Sequence, residues 1–234
     1  MRFVTRRLMI TISAAIAAVG LASTPVAFAL GRGDSSARSA QDRVSDAVSL
    51  VQQMKQDPAL AAVLQQATGV FIIPHYGRGG FIVGGQGGGG VVLVKHHGRW
   101  SSPAFYSIGG GSVGAQAGGE SGAIAMILMT RKAVDRFVNS GRGWSLKGNA
   151  GLTVVNWSGR VRANTNRGDV ILWSNTRGLY GGLTASVTHI SPDTKLDRAY
   201  YQRRVTSGEI LAGNVRDPNP DLLRDALASR MASR

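Results

Sequence analysis

Between residues 67 and 119, bursts of Val, Ile and Phe alternate with glycine, and this pattern restricts the chain to tightly connected β-structure. The run reads Gly69-Val-Phe-Ile-Ile-Pro74, Gly79-Gly-Phe-Ile-Val-Gly-Gly85, Gly87 to Gly90, Val91-Val-Leu-Val-Lys95, then Gly98-Arg-Trp-Ser-Ser-Pro103 and Gly109-Gly-Gly-Ser112. Apolar bursts of four to six residues bounded by glycine are strand signals, and the glycines between them suit hairpins. So many glycines also imply positive φ, or close backbone approach, at several points.

Helical patterns flank this region. Ala40, Val44, Ala47, Val48, Val51 and Met54 recur at three- and four-residue spacing and predict an amphipathic helix over 38–55. Its apolar face either docks on a core or touches a membrane. Asp57-Pro58 restarts a helix, with Asp as N-cap and Pro in the first turn. The run 124–129 is a buried strand or a short buried helix. Thr130 caps a helix over 131–139, stopped by Gly141. Residues 144–190 return to β-structure. A short helix is expected over 195–201, and Thr206-Ser-Gly-Glu209 has the form of a capping box. The fold class is therefore α+β: one domain rich in antiparallel strands, with an N-terminal amphipathic helix and short helices packed on the sheet.

Composition bounds the chemistry. The chain has 234 residues, no cysteine and a formal net charge of +14. Thiolate metal sites, disulfides and thiol nucleophiles are excluded. Residues 1–29 have the form of a cleavable export signal. Arg2, Arg6 and Arg7 form a positive start, an apolar stretch runs over 8–21, and Ala27-Phe28-Ala29 is a small-x-small cleavage site. Removing them takes three arginines and no acid, leaving 24 basic against 13 acidic residues, a net +11. Residues 30–37 then read as a flexible lead-in, 38–215 as the domain and 216–234 as a C-terminal tail. The charge favours an anionic partner. Export argues against nucleic acid and for a membrane surface or an envelope polymer or protein.

The segments 69–74, 80–85, 98–103 and 111–118, together with Arg177-Gly-Leu-Tyr-Gly-Gly182, Ala199-Tyr-Tyr201 and Ser207-Gly-Glu-Ile-Leu211, occur in an order that resembles the SYLF (Ysc84) domain family. The resemblance covers residues 40–212. It implies a lipid-binding module. Eukaryotic members of the family bind phosphoinositides and join actin and membrane-remodelling machinery, and members with export signals are envelope proteins of bacteria.

Three motifs invite catalytic or metal readings. Gly110-Gly-Ser112-Val-Gly114 fits the G-x-S-x-G nucleophile elbow, which needs a strand before the serine and a helix after it. The glycine-rich sequence after Ser112 is a poor helix start. Gly85-Gln-Gly87-Gly-Gly-Gly90 fits a dinucleotide fingerprint, but a strand signal follows where a helix is required. His96-His97 would point to opposite faces of a strand and so do not readily share one ion. Neither a cofactor nor an enzymatic activity is expected. Two acid-free stretches carry the binding expectation instead. Residues 58–119 contain Arg78, Lys95 and Arg99, and residues 136–168 contain Lys147, Arg160 and Arg162, without a carboxylate in either. These six residues are the expected contacts to an anionic, phosphoinositide-like phospholipid headgroup. An envelope scaffold that binds polymer or protein is the alternative, and a serine hydrolase using Ser112 a remote one.

Overall fold

The computed structural model describes residues 26–80, 83–113, 118–139, 141–145, 151–157, 168–175 and 189–229. Its centre is an eight-stranded mixed sheet. The strands are β1 (Gly69–Gly80), β2 (Val83–His96), β3 (Arg99–Trp100), β4 (Ala104–Val113), β5 (Gly118–Leu128), β6 (Val154–Asn156), β7 (Val170–Ser174) and β8 (His189–Pro192). They lie in the order β6-β7-β5-β1-β2-β4-β8, with β3 added to the end of β2. All pairs are antiparallel except β6 with β7. Six helices among the described residues surround the sheet: α1 (Val26–Met54), α2 (Pro58–Gln66), α3 (Arg131–Val138), α4 (Thr194–Tyr201), α5 (Ser207–Leu211) and α6 (Leu222–Ala228). The run 124–129 resolves into strand β5, where an apolar stretch buried on both faces is what a central strand requires.

The sheet has two unlike halves. In the lower half, Val70 to Ile73, Val91 to Val94 and Ile124 to Leu128 are completely or almost completely buried. Helices cover both faces there. On one face, Phe105 packs against Tyr200 of α4 at 5.2 Å between ring centroids. On the other, Phe137 of α3 meets Phe71 and Tyr106 edge-on, each at 5.5 Å. The upper half is built mainly of glycine, with Gly77, Gly79 and Gly80 on β1 paired to Gly84, Gly85 and Gly87 on β2.

Proline explains two of the glycines. Pro74 lies in central strand β1, where it cannot donate a ladder hydrogen bond. The strand accommodates it with a bulge, seen as a register shift against both β2 and β5. The bulge drives carbonyls toward β2. A Cβ at Gly90 would lie 2.1 Å from the Ile72 carbonyl oxygen, and one at Gly88 would lie 2.5 Å from that of His75.

The local helix signals hold. The Asp57 carboxylate accepts from the Ala59 and Leu60 amides. Thr130 Oγ1 accepts from Ala133 N, and Thr206 with Glu209 forms a reciprocal capping box. Asp169 holds Thr130 in place. Its carboxyl accepts from Thr130 Oγ1 and Thr153 N, which keep it below the usual carboxylate range.

Two segment readings change. Residues 30–37, expected as a flexible lead-in, lie within α1, which starts at Val26 and carries straight through Gly31 and Gly33. The segment from 216, read as a tail, returns to the domain and docks on α1. Leu223 and Leu227 are buried. The buried Lys55 ammonium donates to the carbonyls of Ala226, Leu227 and Ser229. A cation on the last carbonyls of a helix is favoured by the helix dipole, and it ties α6 to the end of α1. Burial lowers the Lys55 pKa.

Candidate functional site: a cationic end of the sheet

The sequence-predicted basic residues do not form one cluster. Lys95 and Arg99 sit at the lower end of the sheet, on either side of the His97-Gly98 turn. Both turn residues have positive φ, 49° and 81°, the conformation that a two-residue hairpin needs. Arg78 lies opposite Gln86, nine residues up β2 from Lys95. At about 3.3 Å per residue the two positions are about 30 Å apart, well beyond the roughly 10 Å Debye length. They cannot grip the same headgroup. Antiparallel pairing is the reason, because a long hairpin sends its two ends to opposite poles of the sheet. Lys147, Arg160 and Arg162 lie outside the described residues.

Lys95 is partly committed inside the protein. Its Nζ donates to Gln65 O at 2.7 Å and stands 4.7 Å from the Trp100 ring centroid. Burial lowers its pKa. Arg99 is exposed.

Three arginines that the sequence reading passed over share this end. The Tyr201 hydroxyl donates to Pro103 O at 2.7 Å, which fixes the end of α4 beside the start of β4. Gln202 then turns the chain in the left-handed conformation, φ 51°, and Arg203 and Arg204 follow, both exposed. His96 Nε2 lies 2.6 Å from Leu211 O, and Ser102 Oγ donates to Val215 O at 2.7 Å. These contacts bring the exposed Arg216 to the same end. Lys195 and Arg198 continue the positive surface along α4. None of Arg99, Arg203, Arg204 and Arg216 forms an ion pair among the described residues. Glu209, the exposed acid nearby, is engaged in its capping box, and the neighbouring Arg203 charge also lowers its pKa. A signal for these residues was present in the chain: 198–208 is a third acid-free stretch holding three arginines.

Apolar groups that could add a membrane contact are occupied inside the protein. Ala40, Ala47, Val51 and Met54 of α1 are buried in the protein, so the apolar face of this helix is spent on the core and is not offered to a membrane. Trp100 and Trp157 are buried too. No helix among the described residues is long and apolar enough to cross a membrane.

The catalytic and metal alternatives lose their structural context. Ser112 pairs with Gly84 inside strand β4, and the next described element is strand β5. A nucleophile elbow requires a helix at that point. Gly85 to Gly90 lie within strand β2 rather than before a helix. No group of three or more potential metal ligands occurs among the described residues.

One buried carboxylate orders the cationic end. Asp197 is fully buried and accepts from Phe105 N at 2.9 Å and from Ser207 Oγ at 2.6 Å. Burial pushes its pKa up to about 6 against the pull of those two donors. It joins α4, β4 and α5 at one point.

Fold and surface together define a small basic α+β domain with a cationic pole among its described residues. The profile of the Ysc84 family, described as Las17-binding protein actin regulator, matches residues 109–230. The chain belongs to that family. It is 30% identical over 175 residues to Protein YSC84 of Saccharomyces cerevisiae, covering 72% of this chain and 37% of that protein. It is 29% identical over 162 residues to LAS seventeen-binding protein 3 of the same yeast, covering 67% and 35%. SH3 domain-containing YSC84-like protein 1 of Mus musculus is 28% identical over 163 residues, covering 68% and 47%. The chain thus spans between a third and a half of the length of these relatives. No solved structure matches it.

Proposed function

We propose that this chain is a non-catalytic module that holds anionic phospholipid headgroups, phosphoinositide-like in charge, against the cationic end of its sheet. The observation that carries the reading is the placement of Arg99, Arg203, Arg204 and Arg216 at the same end of the sheet, all exposed and without ion-pair partners among the described residues. Cations at an anionic membrane surface contribute about 1 kcal/mol each, so four supply about 4 kcal/mol, roughly a thousandfold in partitioning. The leader-like residues 1–29 support an exported protein acting at the membrane of a bacterial envelope. A second reading, a protein partner with an acidic surface, draws on the family description as a Las17-binding actin regulator.

Flotation with liposomes separates these readings. Vesicles containing phosphatidylglycerol or a phosphoinositide should carry the protein, and pure phosphatidylcholine vesicles should not. Binding should fall steeply with added salt, because it rests on screened surface charge. Equal recovery with both vesicle types would exclude the electrostatic mechanism. No recovery with either, alongside sedimentation with cell-wall material, would favour the scaffold alternative.

A further inference from the structure

We propose that the cleft between α3 and the Gly143–Trp144 segment binds an acidic sugar, a pyranose ring that carries a carboxylate or a phosphate. The cleft has a volume of about 580 Å³ and is lined by Lys132, Asp135, Arg136, Asn139, Gly143 and Trp144. None of Arg99, Arg203, Arg204 and Arg216 lines it, so it is a different site from the basic pole. Its four α3 residues recur three and four positions apart and share one face of the helix. Ala133, Val134 and Phe137, on the inner face, are buried.

Two of the lining cations converge. Lys132 Nζ donates to Gly151 O and stands 3.8 Å from Asp169 Oδ2. The Arg136 guanidinium reaches the same residue, with Nη2 3.9 Å from the place that a Cβ on Gly151 would take. Arg142, which precedes Gly143, is exposed. Of the nearby acids, Asp169 accepts from Thr130 and Thr153, and Asp135 is paired with Arg131 at 3.5 Å. The balance is positive. A carboxylate or phosphate oxygen is the group that an ammonium and a guanidinium hold best.

The facing wall is aromatic and fixed in place. Trp144 exchanges backbone hydrogen bonds with Ile190 of β8, at 2.8 and 2.7 Å. Gly143 has a φ of 86° and passes so close to β8 that a Cβ would meet Ile190 O at 2.7 Å. Phe137 packs edge-on against the indole, 5.2 Å between centroids. Trp144 Nε1 is buried and has no acceptor among the described residues. A buried donor left without a partner is costly and calls for an explanation, and a ligand oxygen at the indole edge supplies the missing acceptor.

The two cations alone would suit any small anion, and the rest of the lining selects a sugar. The apolar indole body matches the C–H face of a pyranose. The Asp135 carboxylate accepts from a ring hydroxyl, and the Asn139 amide both donates and accepts. A bare phosphate uses none of these groups. Lys132, Arg136 and Asn139 are exposed, so their charges and dipoles stay hydrated and the expected affinity is modest, with a Kd of about 1 mM.

Titration of the isotope-labelled chain, followed through the tryptophan indole N–H signals, tests this. The chain has four tryptophans, and the Trp144 signal is the one that disappears in Trp144→Phe. Glucuronate or glucose 6-phosphate should move that signal saturably. Glucose and inorganic phosphate, each half of the proposed ligand, should bind at least about tenfold more weakly. Arg136→Gln should weaken the acidic sugar at least about tenfold, with an unchanged unfolding midpoint. The basic-pole variant Arg99→Glu, Arg203→Glu, Arg204→Glu should bind the sugar as the wild-type chain does. No saturable change with either acidic sugar up to about 20 mM would overturn the proposal. So would glucose or inorganic phosphate binding as tightly as the acidic sugar, or full affinity in Arg136→Gln. If Trp144→Phe does not fold, calorimetric titration of Arg136→Gln beside the wild-type chain gives the same decision.

Discussion

Gly90→Ala should destabilise the domain by about 3–5 kcal/mol, while Gly85→Ala, five residues away on the same strand, should be neutral or slightly stabilising. The contrast follows from the proline bulge. Pro74 forces β1 to shift register, and the shift aims the Ile72 carbonyl at the Gly90 Cα. A methyl group at Gly90 would lie 2.1 Å from that oxygen and 2.9 Å from Phe71 Cε2. Both neighbours belong to the fully buried centre of the sheet, so neither can move without displacing β1 from β5. At Gly85 a methyl meets nothing, and strand alanine loses less backbone entropy than glycine on folding, a gain of about 0.5–1 kcal/mol. Urea denaturation of the two variants reads the difference. Equal loss in both would mean that the glycines of β2 share one structural role, contrary to the two-part sheet described above.

Asp197→Ala should cost about 3 kcal/mol near neutral pH, because it strands the Phe105 amide and the Ser207 hydroxyl in the core. Asp197→Asn should be far milder, because the amide oxygen can still accept from Phe105 N while its NH2 group faces Ser207 Oγ. The pair also reports on pH. The native carboxyl has its pKa raised to about 6 by burial, against about 3.9 in an unfolded chain. The native state therefore holds the proton more tightly. The contribution of this group is most favourable below pH 4 and declines as pH rises to 6, by about 3 kcal/mol in all. Asparagine cannot titrate. The stability of Asp197→Asn relative to wild type should therefore improve between pH 4 and 6 and level off above. A difference that does not vary with pH would show that Asp197 is not buried as a carboxyl between α4 and β4. Asp217, also raised by burial, titrates in both proteins and cancels from the comparison.

Features set by neighbours in sequence were legible before the fold was known. Asp57-Pro58, Thr130 and the Thr206–Glu209 box each cap the helix expected of them, because a cap is a contact across three residues. The strands followed from apolar bursts between glycines. Contacts between distant residues were not legible. Nothing local to Lys55 shows that its ammonium will close the end of a helix beginning at Leu222. Nothing local to Arg78 shows that a hairpin will carry it away from Lys95. The cationic end was half visible. Arg99 and Lys95 were found by the absence of nearby acids, and the same criterion applied to 198–208 would have added Arg203 and Arg204. Arg216 joins them through the His96–Leu211 and Ser102–Val215 hydrogen bonds, both long-range contacts. The α1 apolar face was open to two readings because amphipathicity gives a buried face without saying what buries it.

The basic pole is the centre of this account, and one comparison tests it most directly. Flotation of anionic vesicles should be measured for the triple variant Arg99→Glu, Arg203→Glu, Arg204→Glu beside Arg78→Glu, with both variants shown to unfold at the wild-type midpoint. The triple variant should lose at least about a hundredfold in membrane affinity, from three cations removed and three like charges introduced. Arg78→Glu, about 30 Å away along the hairpin, should bind nearly as wild type. A triple variant that floats as well as the wild-type chain, or an Arg78 variant that loses as much, would contradict the assignment of lipid binding to this end of the sheet.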